Sequence, residues 1–167
     1  MKKYVLITGA TAGFGAATAR IFADNGYNLI LTGRRLERLE ALKKEFESKD
    51  IDVVLLHFDV RNQNEVNQAV GSLTDEVKTK LSILINNAGL AVGRGPIDSG
   101  ETDDWDRMID TNVKGLLYVT RAVSPLLKQN GGGHIVNIAS IAGKEVYDSG
   151  NVYCATKHAV DSLSKSM

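Results

Sequence analysis

The chain has 167 residues, 43% hydrophobic and 24% charged, which suits one domain with a real core. Twenty basic and twenty acidic side chains cancel, so no charge field points to nucleic acid or to an anionic membrane. No apolar run approaches the ~20 residues that span a bilayer, the start lacks the apolar stretch of a secretory signal, and the single cysteine, Cys154, excludes an internal disulfide. The expectation is a cytoplasmic protein without a cysteine metal cluster.

The first predicted strand covers residues 4–8. It runs into Gly9, Ala10, Thr11, Ala12, Gly13, Phe14 and Gly15, and a helix is predicted over 13–25. The first glycine permits a sharp exit from the strand. The later ones let a pyrophosphate reach the backbone and let the helix pack closely on the sheet. The helix N-terminus would offer free N–H groups and a positive dipole end to phosphates. The bland alternative is a glycine-rich turn without a ligand. The spacing, Gly-x-x-x-Gly-x-Gly, differs from the common dinucleotide fingerprint and from the P-loop.

A second strand, 28–33, ends at Gly33-Arg34-Arg35. An NAD site places an acid there to hold the ribose hydroxyls. Two guanidinium groups suit a 2′-phosphate instead, which points to NADP. The alternative is a solvated basic helix start. That start would carry its charge at the unfavourable helix end.

A helix over 36–49 follows, with Leu36, Leu39, Leu42 and Phe46 on one face. Next come a strand at 53–58, a helix at 64–78, a strand at 82–86 and a long helix at 105–129. Pro125 should kink or break that last helix, and Gly131, Gly132 and Gly133 turn the chain into a fifth strand at 134–139. Apolar strands linked by amphipathic helices predict an α/β fold: a doubly wound parallel sheet covered on both faces.

Ser140 ends the fifth strand, where such sheets collect ligands, and its hydroxyl would hydrogen-bond a reacting oxygen or simply cap a turn. Tyr153 and Lys157 stand four apart in a helix predicted over 152–167 and therefore share a face. A phenol is a poor acid or base near neutrality, but a neighbouring ammonium favours the phenolate, which would suit Tyr153 to exchange a proton with an alcohol or carbonyl. The same pair on an exposed helix would mean nothing. His57, His134 and His158 share no ligand spacing and read as structural, so no metal is expected. Cys154 reads as a small apolar filler and Trp105 as packing. Asn87 either holds a turn or touches cofactor.

Taken together, Thr8-Gly-x-x-x-Gly-x-Gly15, Asp59-Val60, Asn86-Asn87-Ala88-Gly89, Asn112, Ser140 and Tyr153-x-x-x-Lys157 resemble, in order and near-spacing, the classical short-chain dehydrogenases/reductases. The resemblance runs from Tyr4 to Met167 and implies a Rossmann-type fold. It implies a pyrophosphate cradle from Gly9 to Phe14, adenine contacts at Asp59 and Val60, and a ribose border at Asn86, Ala88 and Gly89. Lys157 would reach the nicotinamide ribose and Asn112 would support a water relay to it. Ser140 would orient the substrate carbonyl and Tyr153 would be the acid/base. A hydride would pass between substrate and nicotinamide.

A finer likeness, in Thr11 to Gly15, Gly33-Arg34-Arg35, Asn86 to Ala91, Asp110-Thr111-Asn112 and Gly150 to Tyr153, is to the NADP-dependent 3-hydroxy acid dehydrogenases, which oxidise serine, allo-threonine and related acids. Members of that group continue with further strands and helices that form a lid. The expectation is thus one NADP-binding and catalytic domain over 1–167, lacking its C-terminal strands and leaving the fifth strand as a bare edge. The family pairs its Asn112 and Tyr153 helices between subunits, implying a homo-oligomer (dimer or tetramer). Leu116, Leu117, Val119 and Val123 would serve that interface or fill the core. Two alternatives stand beside the 3-hydroxy acid reading: a reductase of another carbonyl class (sugar, ketone or acyl thioester), and a truncated, non-catalytic NADP-binding protein.

Overall fold

The computed structural model describes residues 2–167. The five apolar runs form strands β1 (Tyr4–Ile7), β2 (Asn28–Gly33), β3 (Val53–His57), β4 (Leu81–Asn86) and β5 (His134–Asn137). They make one parallel sheet in the order β3-β2-β1-β4-β5. The helices are α1 (Gly13–Asp24), α2 (Leu36–Lys44), α3 (Gln63–Gly71), α4 (Asp75–Lys80), α5 (Thr102–Ile109), α6 (Leu116–Gln129) and α7 (Asn151–Ser166).

Strand side chains alternate between the two faces, and each set finds its own helices. Val5, Ile7, Leu29 and Leu31 pack with Ala16, Ala19 and Ala23 of α1 and with Leu39 and Leu42 of α2. Leu6, Ile30 and Leu84 point the other way, to Val66 and Val70 of α3, Val77 of α4, and Val119, Val123 and Leu127 of α6. Burial on both faces is what required these strands to be apolar throughout. β5 is an outer strand, and its His134 and Val136 are exposed.

Helix boundaries depart from expectation in three places. The helix expected over 64–78 is two helices. Thr74 interrupts it, and its hydroxyl accepts a hydrogen bond from the N–H of Val77 at 3.4 Å while Asp75 and Glu76 favour a new N-terminus. The helix expected over 36–49 is regular only to Lys44, although Phe46 stays buried. The long helix expected over 105–129 begins at Thr102 and is interrupted not at Pro125 but by a π-helical turn, Asp110–Gly115. Pro125 lies on the exposed side of α6 with Arg121 one turn before it, so the carbonyl that loses its partner is on the water side and the helix runs on. Leu116, Val119 and Val123 are core residues of this chain, and of that apolar set Leu117 alone is exposed.

The C-terminal ends of β1 and β4 are fastened to each other. Thr8 Oγ1 accepts the N–H groups of Asn87 (3.0 Å) and Ala88 (2.9 Å), and Asn87 Nδ2 donates to the carbonyls of Thr8 (2.8 Å) and Gly9 (3.1 Å). Contact is so close that a Cβ on Gly15 would lie 2.3 Å from the Gly9 carbonyl oxygen and 2.5 Å from Asn87 Nδ2. On the other side of the site, Lys144 and Lys165 both reach Asp161, at 2.7 and 2.8 Å, tying the turn after Ser140 to α7.

Replacing Thr8 by valine keeps the shape and removes an acceptor shared by two N–H groups. The expected loss is about 2 kcal/mol of unfolding free energy, read as a lower urea midpoint at unchanged slope. The Asp161 carboxyl is pushed down from 3.8 to about 2 by hydrogen bonds from Lys144 and Lys165. A depressed carboxyl adds stability above its unfolded pKa and loses it as pH falls through the folded one. Asp161→Asn should therefore lower Tm slightly at neutral pH, and the gap to wild type should shrink between pH 3.8 and about 2 in a melting series.

Candidate active site

The chain passes from β1 outward to β2 and β3, then returns to β4 on the opposite side of β1. Loops leaving β1 and β4 diverge there, and doubly wound sheets bind ligands in the crevice that this divergence opens. A cleft of about 600 Å³ occupies that position. Gly9, Thr11, Ala12, Gly13 and Phe14 line one part, and Arg34, Arg35, Asp59 and Val60 another. Ala88 and Gly89, then Ser140, Tyr153 and Lys157, line a third part.

Four expected residues stand behind this wall. Ala10 is fully buried, with its N–H on the Thr32 carbonyl at 3.0 Å. Gly15 is the contact point against Gly9 and Asn87. Asn86 turns its side chain to Thr120 and Asn137, both at 2.9 Å. Asn112 sits buried in the π turn. Its Oδ1 accepts from the N–H of Leu90 (2.9 Å), and its Nδ2 donates to the Leu90 carbonyl (2.9 Å) and to Thr156 Oγ1 (3.1 Å). Asn87 fastens the turn and also lines the cleft. Phe58, Leu90, Thr111, Ile138 and Ala139 also line it. Ile138 and Ala139 were expected within the fifth strand, but the strand ends at Asn137 and the two residues leave the sheet to line the cleft. Thr111 belongs to the Asp110-Thr111-Asn112 run, but its direction had no signal, because the π turn sets it.

The cradle end suits a phosphate-bearing ligand. Ala12, which precedes α1, offers no capping side chain, and the first turn holds no acid, so the first N–H groups and the positive dipole end are uncommitted. A Cβ added at Gly13 would meet nothing within 4 Å. Arg35 donates to Thr11 Oγ1 at 2.8 Å, drawing the second-strand end against the cradle. Arg34 lies 3.7 Å from Asp59, whose carboxylate is more tightly held by Arg61 at 2.7 Å. Burial acts to raise the Asp59 carboxyl, but the hydrogen bonds from Arg61 outweigh it and the net shift is downward. Both arginines thus border the cleft with charge available to an anion.

At the other end, Ser140 Oγ accepts the N–H of Ala142 at 3.1 Å, so it caps the short 3₁₀ turn Ile141–Gly143. Its own O–H remains free to donate into the cleft. Lys157 is almost wholly buried, and its Nζ donates to the Ile138 carbonyl at 2.8 Å and lies 6.0 Å from the centre of the Tyr153 ring. Desolvation by burial pushes its pKa down from the usual lysine value. A hydroxyl donor, a phenol and a buried ammonium therefore share one wall, an arrangement able to hold an oxygen and move its proton.

Known proteins are similar to this chain in sequence and fold. The short chain dehydrogenase family matches residues 3–167. The NADP-dependent 3-hydroxy acid dehydrogenase YdfG of Salmonella typhi is 47% identical over 163 residues, which are 98% of this chain and 64% of that protein. A sulfoacetaldehyde reductase of Chromohalobacter salexigens is 46% identical over 168 residues, 100% of this chain and 66% of that one. The closed form of a serine dehydrogenase complexed with NADP+ superposes with a TM-score of 0.92 at 46% identity, over 98% of this chain and 64% of its own. The chain thus spans about two thirds of the length of these relatives. With a doubly wound parallel sheet, a cleft at its reversal point and a family match over residues 3–167, the chain belongs to the short-chain dehydrogenase family.

Proposed function

We propose that this chain binds NADP(H) and serves hydride transfer between the nicotinamide and a small 3-hydroxy acid such as serine or allo-threonine, with Tyr153 as acid/base. The observation that carries the reading is that Ser140, Tyr153 and Lys157 line the same cleft as the uncapped start of α1 and the Arg34–Arg35 pair.

Each group then has a task. The backbone from Gly9 to Phe14 holds the pyrophosphate, and Arg34 and Arg35 take the 2′-phosphate. Asp59 and Val60 border the adenine, and Ala88 and Gly89 the ribose, with Ala10, Gly15 and Asn86 holding those segments in place from behind. The cofactor supplies the hydride acceptor at its nicotinamide. Ser140 donates to the substrate oxygen, and Tyr153 Oη takes the hydroxyl proton during oxidation and returns it in reduction. Lys157 contributes its buried positive charge beside Tyr153 and the ribose. Asn112 keeps α7 and the loop after β4 in register and supports a water relay to Lys157.

Support for the substrate class comes from the relatives. One is a dehydrogenase of 3-hydroxy acids and another a reductase of sulfoacetaldehyde, so both names describe a small carbon skeleton bearing an acid group. The second name favours a second reading, reduction of a small anionic aldehyde in the same cleft.

The deciding assay is NADP-dependent oxidation of L-allo-threonine and L-serine, followed as NADPH absorbance on the protein as its cell makes it. Turnover that falls by about a thousandfold in Tyr153→Phe is the expected result, within the range for loss of an acid/base group. Turnover of sulfoacetaldehyde alone would replace the first reading by the second. Substituting Arg34 and Arg35 by uncharged residues should raise the Kd for NADPH at least tenfold and that for NADH far less, in the range of a lost charge-assisted hydrogen bond. Equal losses for both cofactors would refute the 2′-phosphate assignment.

A further inference from the structure

An acid substrate needs a cation at the catalytic end of the cleft, because a buried carboxylate without a partner is strongly disfavoured. The charged residues lining the cleft are Arg34, Arg35, Asp59 and Lys157. The two arginines lie at the cradle end, and Lys157 is engaged with the Ile138 carbonyl. Arg94 lies outside that lining, exposed on the loop after β4.

Arg94 stands on the loop that follows Asn86-Asn87-Ala88-Gly89. Its guanidinium carbon lies 5.5 Å from the centre of the Tyr147 ring, within cation–π range. Tyr147 in turn is pressed on Gly150, where an added Cβ would lie 2.3 Å from the ring. Gly150 is the residue from which α7 starts, three before Tyr153. Asn151 Nδ2 donates to the Gly95 carbonyl at 3.3 Å, closing the contact between the two loops. Arg94 is therefore held beside the start of the catalytic helix. No carboxylate of the described residues pairs with it, and it makes no hydrogen bond with them. An arginine held on an aromatic face keeps its planar fork of N–H donors open to an anion.

We propose that Arg94, seated on Tyr147, anchors the acid group of the substrate while Ser140 and Tyr153 engage its hydroxyl or carbonyl oxygen. This rests on the reading of the cleft as one for small anionic substrates. In a 3-hydroxy acid the carboxylate is two carbons from the reacting carbon, so a cation on a segment adjoining Tyr153 is suited to take it. The loop bearing Arg94 adjoins it through both Tyr147 and Asn151. A planar guanidinium also fixes the orientation of the acid by paired hydrogen bonds, which sets the face of the reacting carbon that is presented. Arg94 is thus a specificity-determining residue, and Tyr147 a positioning residue acting through it.

The test compares wild type with Arg94→Met, Arg94→Lys and Tyr147→Leu. The substrates are L-allo-threonine, 3-hydroxypropionate, 3-hydroxypropionamide as the neutral counterpart, and sulfoacetaldehyde, with the Kd for NADPH measured in parallel by fluorescence. In Arg94→Met the ratio of kcat/KM for 3-hydroxypropionate to that for its amide should fall about tenfold or more, mostly through KM. Arg94→Lys should lie between Met and wild type, because a lysine keeps the charge but not the paired donors. Tyr147→Leu should lower the ratio less than Arg94→Met does. The Kd for NADPH should stay at the wild-type value, which also shows that the variants are folded. Oxidation of the acids by wild type with an unchanged ratio in Arg94→Met would overturn the anchor and leave the proposed function standing. Inactivity of wild type on 3-hydroxy acids, with Arg94-dependent turnover of sulfoacetaldehyde, would overturn the 3-hydroxy acid reading and keep the anchor. Preference of wild type for the neutral amide over both acids would overturn both.

Discussion

Everything the cleft offers depends on the joint between the ends of β1 and β4. These neighbouring strands must release their chains in different directions, which leaves backbone groups unpaired at the point where two loops diverge. Thr8 and Asn87 satisfy them by exchanging side-chain hydrogen bonds with one another's backbone. Because that joint is tight, α1 can start only if the residue facing it has no side chain, which is why Gly15 stands there. The position of α1, and with it the uncapped N–H groups turned to the cleft, follows from this contact rather than from any preference of the α1 sequence. Burying a polar joint is acceptable only because its members satisfy one another.

A different compromise operates at α7. Lys157 is buried, and burial disfavours its charge, as the downward shift of its pKa records. A structure selected for stability alone would hold an apolar residue there. The carbonyl of Ile138 offsets part of the penalty, and the surrounding ties compensate elsewhere. Asp161 gathers Lys144 and Lys165, while Thr156 joins Asn112. The stabilising contacts of α7 are thus placed around the destabilising one, a distribution common where strain or desolvation serves chemistry.

The parallel sheet and its two covered faces were legible because strands buried on both sides must be apolar at every position, as Leu29, Ile30 and Leu31 are. The cradle was legible because Gly9 and Gly15 answer to a backbone constraint that few other situations impose. What escaped the sequence depends on direction. No pattern in Asp110–Gly115 announces a π turn, since its residues are compatible with an ordinary helix, and that turn decides which way Thr111 and Asn112 point. Pro125 leaves α6 unbroken for a related reason. Its effect depends on whether the deprived carbonyl faces water or core, which is a property of the packed helix. Arg94 and Tyr147 carried no signal at all, since their pairing is made across 53 positions by two irregular loops.

The π turn has a mechanical side. By admitting one extra residue per turn it swings Asn112 inward, where a single amide reaches both backbone groups of Leu90 and the hydroxyl of Thr156. Three segments distant in sequence are thereby hinged on one side chain: the α5–α6 rod, the loop leading to Arg94, and the helix carrying Tyr153. None of them can open by itself without breaking a shared bond. The Tyr153 end of the cleft should accordingly breathe as one cooperative unit, with amide protection near residues 90, 112 and 156 rising and falling together, while the glycine-rich turn at the other end keeps its own rhythm.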